Sequence, residues 1–202
     1  MDRFDPAHTA LLIVDMQNDF LHADGAYARG GVNLPEAEQL IANLVSVAAA
    51  MREAGGWIVS THFTLVPGRD GEPIISPHLK KLRPFLRRGD FAPGAWGHGL
   101  LDALAPAHVA VEKVAYSAFY MSRLEFVLRK AGIEMLLIGG IVTNGGVAST
   151  LHDAHARDFA VTLLRDGCGA FTREAHEGSL AALGTLAPLV TCAEAEAALA
   201  RA

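Results

Sequence analysis

The sequence predicts a three-layer α/β/α sandwich around a mostly parallel six-stranded sheet. Short, almost wholly apolar runs of strand length alternate with segments whose apolar residues recur at helical spacing. The runs are apolar on both faces, as strands of a buried parallel sheet are. No internal repeat or linker interrupts the alternation, so we expect one domain over residues 1–202, and a hydrophobic content of 51% is ample for a continuous core.

The charge of the chain is modest and evenly spread. Its 22 acidic and 17 basic residues give a net charge of −5, with no basic face for nucleic acid and no polybasic membrane anchor. The apolar run that follows the acidic start, residues 1–6, is too short for a signal peptide or a membrane span. Cys168 and Cys192 form no disulfide framework or metal pattern. We therefore expect a cytoplasmic protein with a small-molecule partner, and no binding to nucleic acid or membrane.

The first third of the chain predicts two strands joined by a helix. The aliphatic run 10–14 ends at Asp15, which places this acid at the carboxyl end of a central strand. A glycine-containing loop follows, and Pro35 opens a helix that Gly55 and Gly56 end. Its apolar stripe is Ile41, Leu44, Val45, Ala48 and Met51. Residues 57–63 form the second predicted strand.

The middle of the chain predicts a wall of the site and a third strand. Residues 64–100 are rich in proline and glycine, and a loop of this length in a compact domain is usually functional, so we interpret it as a wall or lid. A third strand is expected at 108–113, ending near Lys113, and a polar-aromatic turn follows at 116–119. A short helix marked by Leu124 and Leu128 ends at Gly132.

The last third predicts three more strands. We expect the fourth at 135–139, followed by a helix that begins after Asn144 and runs to about Arg157, and the fifth at 160–164. Residues 166–169 are interpreted as a turn, after which Thr172 caps a helix. A short strand at 189–191 precedes the closing alanine-rich helix.

Three groups that could take part in catalysis or binding stand at strand ends. Asp15 follows the first strand, Lys113 the third, and the glycine-lined turn 142–146 the fourth. Because the carboxyl ends of parallel strands share one edge of the sheet, an acid, a cation and a set of amide donors are expected to meet there. The sequence therefore predicts an active site at this edge.

Three motifs at these strand ends resemble, in order and spacing, those of the isochorismatase-like hydrolase superfamily. They are LIVDMQNDF at 12–20, KVAYSAF at 113–119 and GIVTNGGV at 140–147. Most members of that superfamily are cysteine amidohydrolases with an Asp-Lys-Cys triad. By position, Asp15 and Lys113 match its first two members, whereas Gly146 occupies the place of the nucleophile. The resemblance also implies a homo-oligomer, a dimer or a tetramer.

A glycine cannot form an acyl-enzyme, so the expected chemistry moves away from amidase catalysis. The resemblance is then greatest to isochorismatases proper, which hydrolyse a vinyl ether and in which the cysteine can be absent. Such a reaction needs an acid with a raised pKa and no covalent intermediate. We expect Asp15 to be that acid, assisted by Lys113. By the same resemblance, the amides of Val142 and Gly146 bind a substrate carbonyl or carboxylate, and the Ile141–Val142 peptide is cis.

Two other functions stay open on the sequence. One is a C–N amidohydrolase in which Asp15 activates water as a base, and the other is a binding protein that has lost the nucleophile and with it catalysis. Phe20, Trp96 and Tyr116 are the predicted aromatic lining of the pocket. No cofactor is expected.

A metal site is the less favoured interpretation of the histidines. His62, His152 and His155 do not reproduce the superfamily's metal motif, and zinc needs a third ligand of suitable reach. Arg87 and Arg88 are interpreted as solvated side chains of the wall rather than as contacts to a substrate carboxylate.

Overall fold

The sheet is six-stranded and wholly parallel, which confirms the predicted fold class. The computed structural model describes residues 4–201; the first three residues, which belong to the acidic start, and Ala202 lie outside it. The strand order is β3-β2-β1-β4-β5-β6. The strands are β1 (Thr9–Val14), β2 (Trp57–Phe63), β3 (Val109–Lys113), β4 (Met135–Ile141), β5 (Ala160–Gly169) and β6 (Leu189–Val190).

Helices connect the strands and cover both faces of the sheet. They are α1 (Asn18–Leu21), α2 (Ala26–Arg29), α3 (Ala37–Glu53), α4 (Pro77–Leu82), α5 (Leu124–Lys130), α6 (Ala148–His155), α7 (Arg173–Leu183) and α8 (Cys192–Leu199). Short 3-10 turns lie at Trp96–His98 and Asp102–Leu104, and a π-helical turn lies at Thr143–Val147. Within the described chain, no helix is long and apolar enough to cross a membrane.

The side chains of β1 show how the sequence produces the layers. Leu11 and Ile13 point to the core shared with α3 and α8, while Leu12 and Val14 point to the core shared with α5, α6 and α7. All six residues of β1 are buried, because a central strand covered on both faces has no solvent side. This burial fixes the carboxyl end of β1, and with it Asp15, in the middle of the sheet edge.

The predicted turn at 166–169 is wrong, because β5 continues through these residues to Gly169. The pairing of β4 with β5 shifts between Ile138 and Gly140, after which Gly140 pairs with Cys168 and Ile141 pairs with Gly169. The shift lets a segment with the composition of a turn stay in the ladder. Thr172 caps α7 as predicted, since its side chain accepts from the Ala175 N–H.

The long segment 64–100 is anchored to the sheet edge. The carboxylate of Asp19 accepts from the backbone N–H of Ala26 at 3.0 Å and of Phe91 at 2.6 Å, and it is buried. Arg29 and Asp90 form an ion pair at 2.6 Å. These bonds join the loop to α1 and α2, so the wall of the predicted site has a defined position.

A cluster of polar side chains is buried where β2 meets the segment 64–100. His62 Nε2 lies 2.9 Å from Ser60 Oγ, and its ring meets that of His98 with centroids 5.2 Å apart. His98 Nε2 in turn lies 2.8 Å from Thr64 Oγ1. Burial, and to a lesser extent the neighbouring His98, lowers the pKa of His62 from 6.5 to about 4. His62 is therefore a neutral structural histidine at physiological pH.

The neutral state of His62 makes the stability of the fold pH-dependent. The unfolded chain takes up a proton near pH 6.5, while the folded chain does so only near pH 4, so stability is lost as the pH falls through this window. We expect His62→Gln to lessen this loss by up to about 3 kcal/mol. Urea unfolding at pH 7 and pH 4.5 measures it, with exposed His155→Gln as the control that keeps the wild-type difference. An unchanged pH dependence in His62→Gln would refute this assignment.

Candidate active site

The chain turns abruptly at Asp15, immediately after β1. This residue has φ 54°, in the left-handed region that non-glycine residues seldom adopt and that is found at functional sites when the surroundings enforce it. Its N–H donates to the Thr61 carbonyl at 3.1 Å, and its own carbonyl accepts from the Gln17 N–H at 2.8 Å. The two bonds hold the turn and fix the direction of the carboxyl group.

Asp15 and Lys113 form a buried ion pair, so the structure brings together the first two predicted catalytic residues. Lys113 Nζ lies 2.6 Å from Asp15 Oδ2, and the residues are 3% and 4% exposed. Thr61 Oγ1 donates to the other carboxylate oxygen at 2.9 Å, and Lys113 also donates to the Ala115 carbonyl at 2.9 Å. Every oxygen of the acid thus has a partner, as a buried carboxyl requires.

The protonation of Asp15 is set by opposing effects. Burial, the largest of them, raises the pKa of this carboxyl above its usual value, while the charge and hydrogen bond of Lys113 and the hydrogen bond of Thr61 lower it. Burial prevails, and the pKa is raised. The group therefore keeps its proton to a higher pH than an exposed aspartate, as a general acid must.

The turn after β4 lies directly against Asp15. Gly140 has φ 121°, and a Cβ at this position would stand 2.1 Å from the Val14 carbonyl oxygen, so only glycine lets β4 run this close to the end of β1. The Ile141–Val142 peptide is cis, as expected. The Val142 carbonyl accepts from the Gly145 N–H at 2.9 Å and the Val147 N–H at 3.2 Å, which closes the turn.

Gly146 stands where a side chain would reach the acid. A Cβ built on this residue lies 3.2 Å from Asp15 Oδ2, 3.1 Å from the Ile141 carbonyl oxygen and 3.4 Å from Val14 Cγ1. The structure thus places Asp15, Lys113 and Gly146 at one point of the sheet edge. Because Gly146 has no side chain, this constellation holds an acid and a cation but no nucleophile at the third position.

The predicted aromatic residues take different positions around this point. Phe20 is half-buried and contacts Phe63, whose ring centroid lies 5.5 Å from Lys113 Nζ. Tyr116 is 60% exposed and lies over the turn, with ring carbons 3.4 Å from a Cβ built on Gly145. Trp96 is 54% exposed and its ring contact is with His22, so it lies at the margin. Their roles in binding stay predictions.

Two residues without a role in the sequence prediction support the site. Thr61, which binds Asp15, stands at the end of the second predicted strand and in register with Val14, so its place at the shared edge was open to prediction. Gln17 is wholly buried, and its side chain donates to the carbonyls of Phe63 and His98, both at 3.0 Å. It joins the end of β1 to β2 and to the wall.

A third support reaches the turn from α7. Thr143 Oγ1 and His176 Nδ1 are hydrogen-bonded at 2.8 Å, which joins the π-helical turn to this helix. The contact spans 33 residues of sequence, so no local pattern indicates it. The two remaining histidines considered for a metal, His152 and His155, both lie on α6. In residues 4–201 no group of three or more histidine, cysteine or acidic side chains is arranged to hold a metal ion.

The comparison with sequence families settles the relationship that the motifs indicate. The family model described as the isochorismatase domain matches residues 9–195, almost the whole chain. This chain belongs to the isochorismatase family. The match includes β1, β3 and the turn after β4, the three elements at whose ends Asp15, Lys113 and Gly146 lie.

Two relatives with about a third of their aligned residues identical to this chain are named as amidohydrolases. The chain is 33% identical over 177 residues to a ureidoacrylate amidohydrolase, RutB, of Enterobacter sp. (strain 638), a match that covers 81% of this chain and 76% of that protein. It is 36% identical over 176 residues to RutB of Pseudomonas syringae pv. syringae (strain B728a), covering 80% and 71%. Together with the family match, this relationship identifies the protein as a hydrolase.

Solved structures share the fold at lower identity. A cysteine hydrolase from Pseudomonas syringae pv. phaseolicola 1448A superposes with a TM-score of 0.84 at 22% identity, covering all of this chain and 96% of that one. An N-carbamoylsarcosine amidase from Thermoplasma acidophilum superposes with a TM-score of 0.71 at 24% identity, covering 91% and 96%. At these identities the likeness establishes the architecture only, and the reaction must be inferred from the residues of the site.

Proposed function

We propose that the protein hydrolyses a small vinyl ether by acid catalysis from Asp15, without a covalent enzyme intermediate. The observation that carries this proposal is the position of Gly146, where a Cβ would lie 3.2 Å from Asp15 Oδ2. A carboxyl group with a raised pKa faces a place that holds no nucleophile. That combination suits protonation of a substrate better than formation of an acyl-enzyme.

The proposed reaction divides among three groups of atoms. Asp15 transfers its proton to the terminal carbon of the enol ether, water adds to the resulting oxocarbenium carbon, and the hemiketal collapses to a ketone and an alcohol. The proton released from the added water restores the acid. Lys113 stabilises the carboxylate that Asp15 becomes, since its Nζ lies 2.6 Å from Oδ2. The amides of Val142 and Gly146 orient a carbonyl or carboxylate of the substrate.

Hydrolysis of a C–N bond is the second candidate, and the RutB relatives favour it. In this reaction Asp15 would act as a base on water, which then attacks the carbonyl in place of a cysteine. The mechanism requires the ionised carboxylate, whereas vinyl ether hydrolysis requires the protonated acid. Burial of Asp15, which favours its protonated form, is the reason to place the vinyl ether reaction first.

The products separate these candidates. We expect pyruvate from isochorismate, and no ammonia from a panel of small amides that includes ureidoacrylate. Ammonia release from the panel would instead support the amidohydrolase. Turnover of neither, with the protein still stabilised against heat by a ligand of these panels, would identify a binding protein that has lost catalysis.

The pH dependence of kcat/KM gives a second measurement of the same question. If Asp15 is the acid, kcat/KM is constant below its raised pKa and falls about tenfold per pH unit above it. If Asp15 is the base, kcat/KM falls about tenfold per unit below that pKa instead. We expect the first profile, and the second would contradict acid catalysis. The cytoplasmic location and the homo-oligomeric state stay predictions.

A further inference from the structure

A continuous row of aromatic rings leads from Lys113 into the wall formed by residues 64–100. Phe63 lies beside the Lys113 ammonium group, Phe20 contacts Phe63 with ring centroids 6.1 Å apart, and Tyr27 contacts Phe20 at 4.7 Å. Burial raises the pKa of Tyr27, a hydrogen bond from Arg83 opposes this, and Asp15 adds a smaller upward contribution. The row of rings thus runs from the Lys113 ammonium group to the phenol of Tyr27.

Arg83 stands at the far end of this row. Its Nε donates to the Tyr27 hydroxyl at 3.1 Å, and its guanidinium carbon lies 5.6 Å from the ring centroids of both Tyr27 and Phe171. These two rings are stacked, with centroids 5.3 Å apart and planes inclined by 15°. Phe171 follows the end of β5, so Arg83 is held over the same sheet edge that carries the catalytic pair.

The guanidinium group of Arg83 keeps donors available for a ligand. Nε binds Tyr27 and Nη1 binds the Leu82 carbonyl at 3.0 Å. A guanidinium has five N–H donors, so two are used and three remain without a protein acceptor in the part of the chain that the structure describes. Arg83 is half-buried, and within residues 4–201 it forms no ion pair with an acidic side chain.

The charges of the site assign a function to this cation. The Lys113 ammonium group already donates to Asp15 Oδ2 at 2.6 Å and to the Ala115 carbonyl at 2.9 Å. Three donors of Arg83, in contrast, have no acceptor within residues 4–201. A guanidinium held by aromatic rings, with a planar set of free donors, matches a carboxylate in charge and in shape. Partial burial strengthens that attraction, because less water competes for it.

We propose that Arg83 binds a carboxylate at the end of the substrate remote from the reacting bond. The reacting bond then lies at Asp15, the apolar middle of the molecule lies against Phe20, and the carboxylate reaches Arg83. The direction of the substrate rests on the proposed function at Asp15, whereas carboxylate binding at Arg83 is measurable without any turnover. The substrate class is thus an elongated small molecule with a terminal carboxylate.

Binding of benzoate and of its uncharged counterpart benzamide tests the proposal. Isothermal titration and thermal shift should show that the wild-type protein binds benzoate at least about tenfold more tightly than benzamide. We expect Arg83→Gln to abolish this preference and Arg83→Lys, which keeps the charge but not the fork of donors, to retain part of it. Arg87→Gln removes an equal charge from an exposed position on the same loop and should leave the preference intact.

The outcomes separate this proposal from the proposed function. A wild-type protein without preference for benzoate, an Arg83→Gln variant that retains the preference, or an Arg87→Gln variant that loses it would each overturn the role of Arg83. Circular dichroism of Arg83→Gln verifies its fold, and Arg83→Lys provides the measurement if that variant does not fold. With a carboxylated substrate that turns over, Arg83→Gln should raise KM about tenfold or more and change kcat little, because the contact is made equally before and during the reaction.

Discussion

Asp15→Asn is expected to lower kcat for vinyl ether hydrolysis by about 10²- to 10⁴-fold. The substitution keeps the size of the side chain and the acceptor for Thr61, whose hydroxyl lies 2.9 Å from Oδ1. It removes the acidic proton that the proposed mechanism transfers to carbon. Pyruvate release from isochorismate, measured under saturating substrate, provides kcat directly.

The same substitution leaves Lys113 buried without its counter-ion, 3% exposed. An uncompensated buried charge costs about 3–5 kcal/mol of stability, so loss of activity alone would not prove a catalytic role. The control is the double variant Asp15→Asn with Lys113→Met, which removes both charges and should recover much of the thermal stability while staying inactive. A folded Asp15→Asn protein that keeps more than a tenth of the wild-type kcat would contradict acid catalysis by Asp15.

Gly146→Cys is expected to create a reactive thiol and a measurable amidase activity. The new Cβ would lie 3.1 Å from the Ile141 carbonyl and 3.2 Å from Asp15 Oδ2, so its neighbours must shift by only a few tenths of an ångström. The thiol then stands beside the acid and the lysine, as in the superfamily's triad. Ammonia release from the amide panel and labelling by iodoacetamide are the two measurements.

The two native cysteines should not react in this labelling experiment. Cys168 and Cys192 are 5% and 2% exposed, and burial raises the pKa of both thiols, to about 12 for Cys168. We therefore expect one label per Gly146→Cys chain, added at least about tenfold faster than to the wild-type protein.

Gly145→Cys is the matched control for Gly146→Cys, because it places the thiol on the same turn but against Val142 and Tyr116. It should gain no amidase activity. If the thiol of Gly146→Cys is unreactive and that variant releases no ammonia, position 146 is not the position of the nucleophile.

The proposed roles of the Asp15–Lys113 pair and of Arg83 are different. In the proposed mechanism Asp15 and Lys113 act at the reacting bond, and the proposed role of Arg83 is to bind the carboxylate of the substrate from the wall. The prediction that Arg87 and Arg88 are solvated agrees with the structure, since both side chains are exposed and Arg88 pairs with Glu72 at 3.2 Å. Arg83, to which we assign the binding of a carboxylate, lies a few residues earlier on the same loop.

Local pattern was sufficient to predict the fold and the position of Asp15 and Lys113 at one edge of the sheet. Apolar runs that alternate with helical periodicity identify strands covered on both faces, and a residue at the end of such a strand must lie at the sheet edge. The pattern therefore predicts that Asp15 and Lys113 lie at this edge, as they do in the structure, and the motif after β4 gives the position of Gly146. The predicted turn at 166–169 failed because strand pairing with β4, and not local composition, decides where β5 ends.

The sequence by itself determined which group follows each strand: an acid after β1, a lysine after β3 and a glycine-lined turn after β4, where the resemblance assigns the nucleophile's position to Gly146. Only the tertiary structure decided that Thr61 completes the carboxyl's bonding, that Asp15 is dry enough for its pKa to rise, and that Arg83 reaches the row of aromatic rings. Burial and long-range side-chain contacts depend on strand register and on how a loop folds back over the sheet. Neither is encoded in the neighbouring residues of the chain.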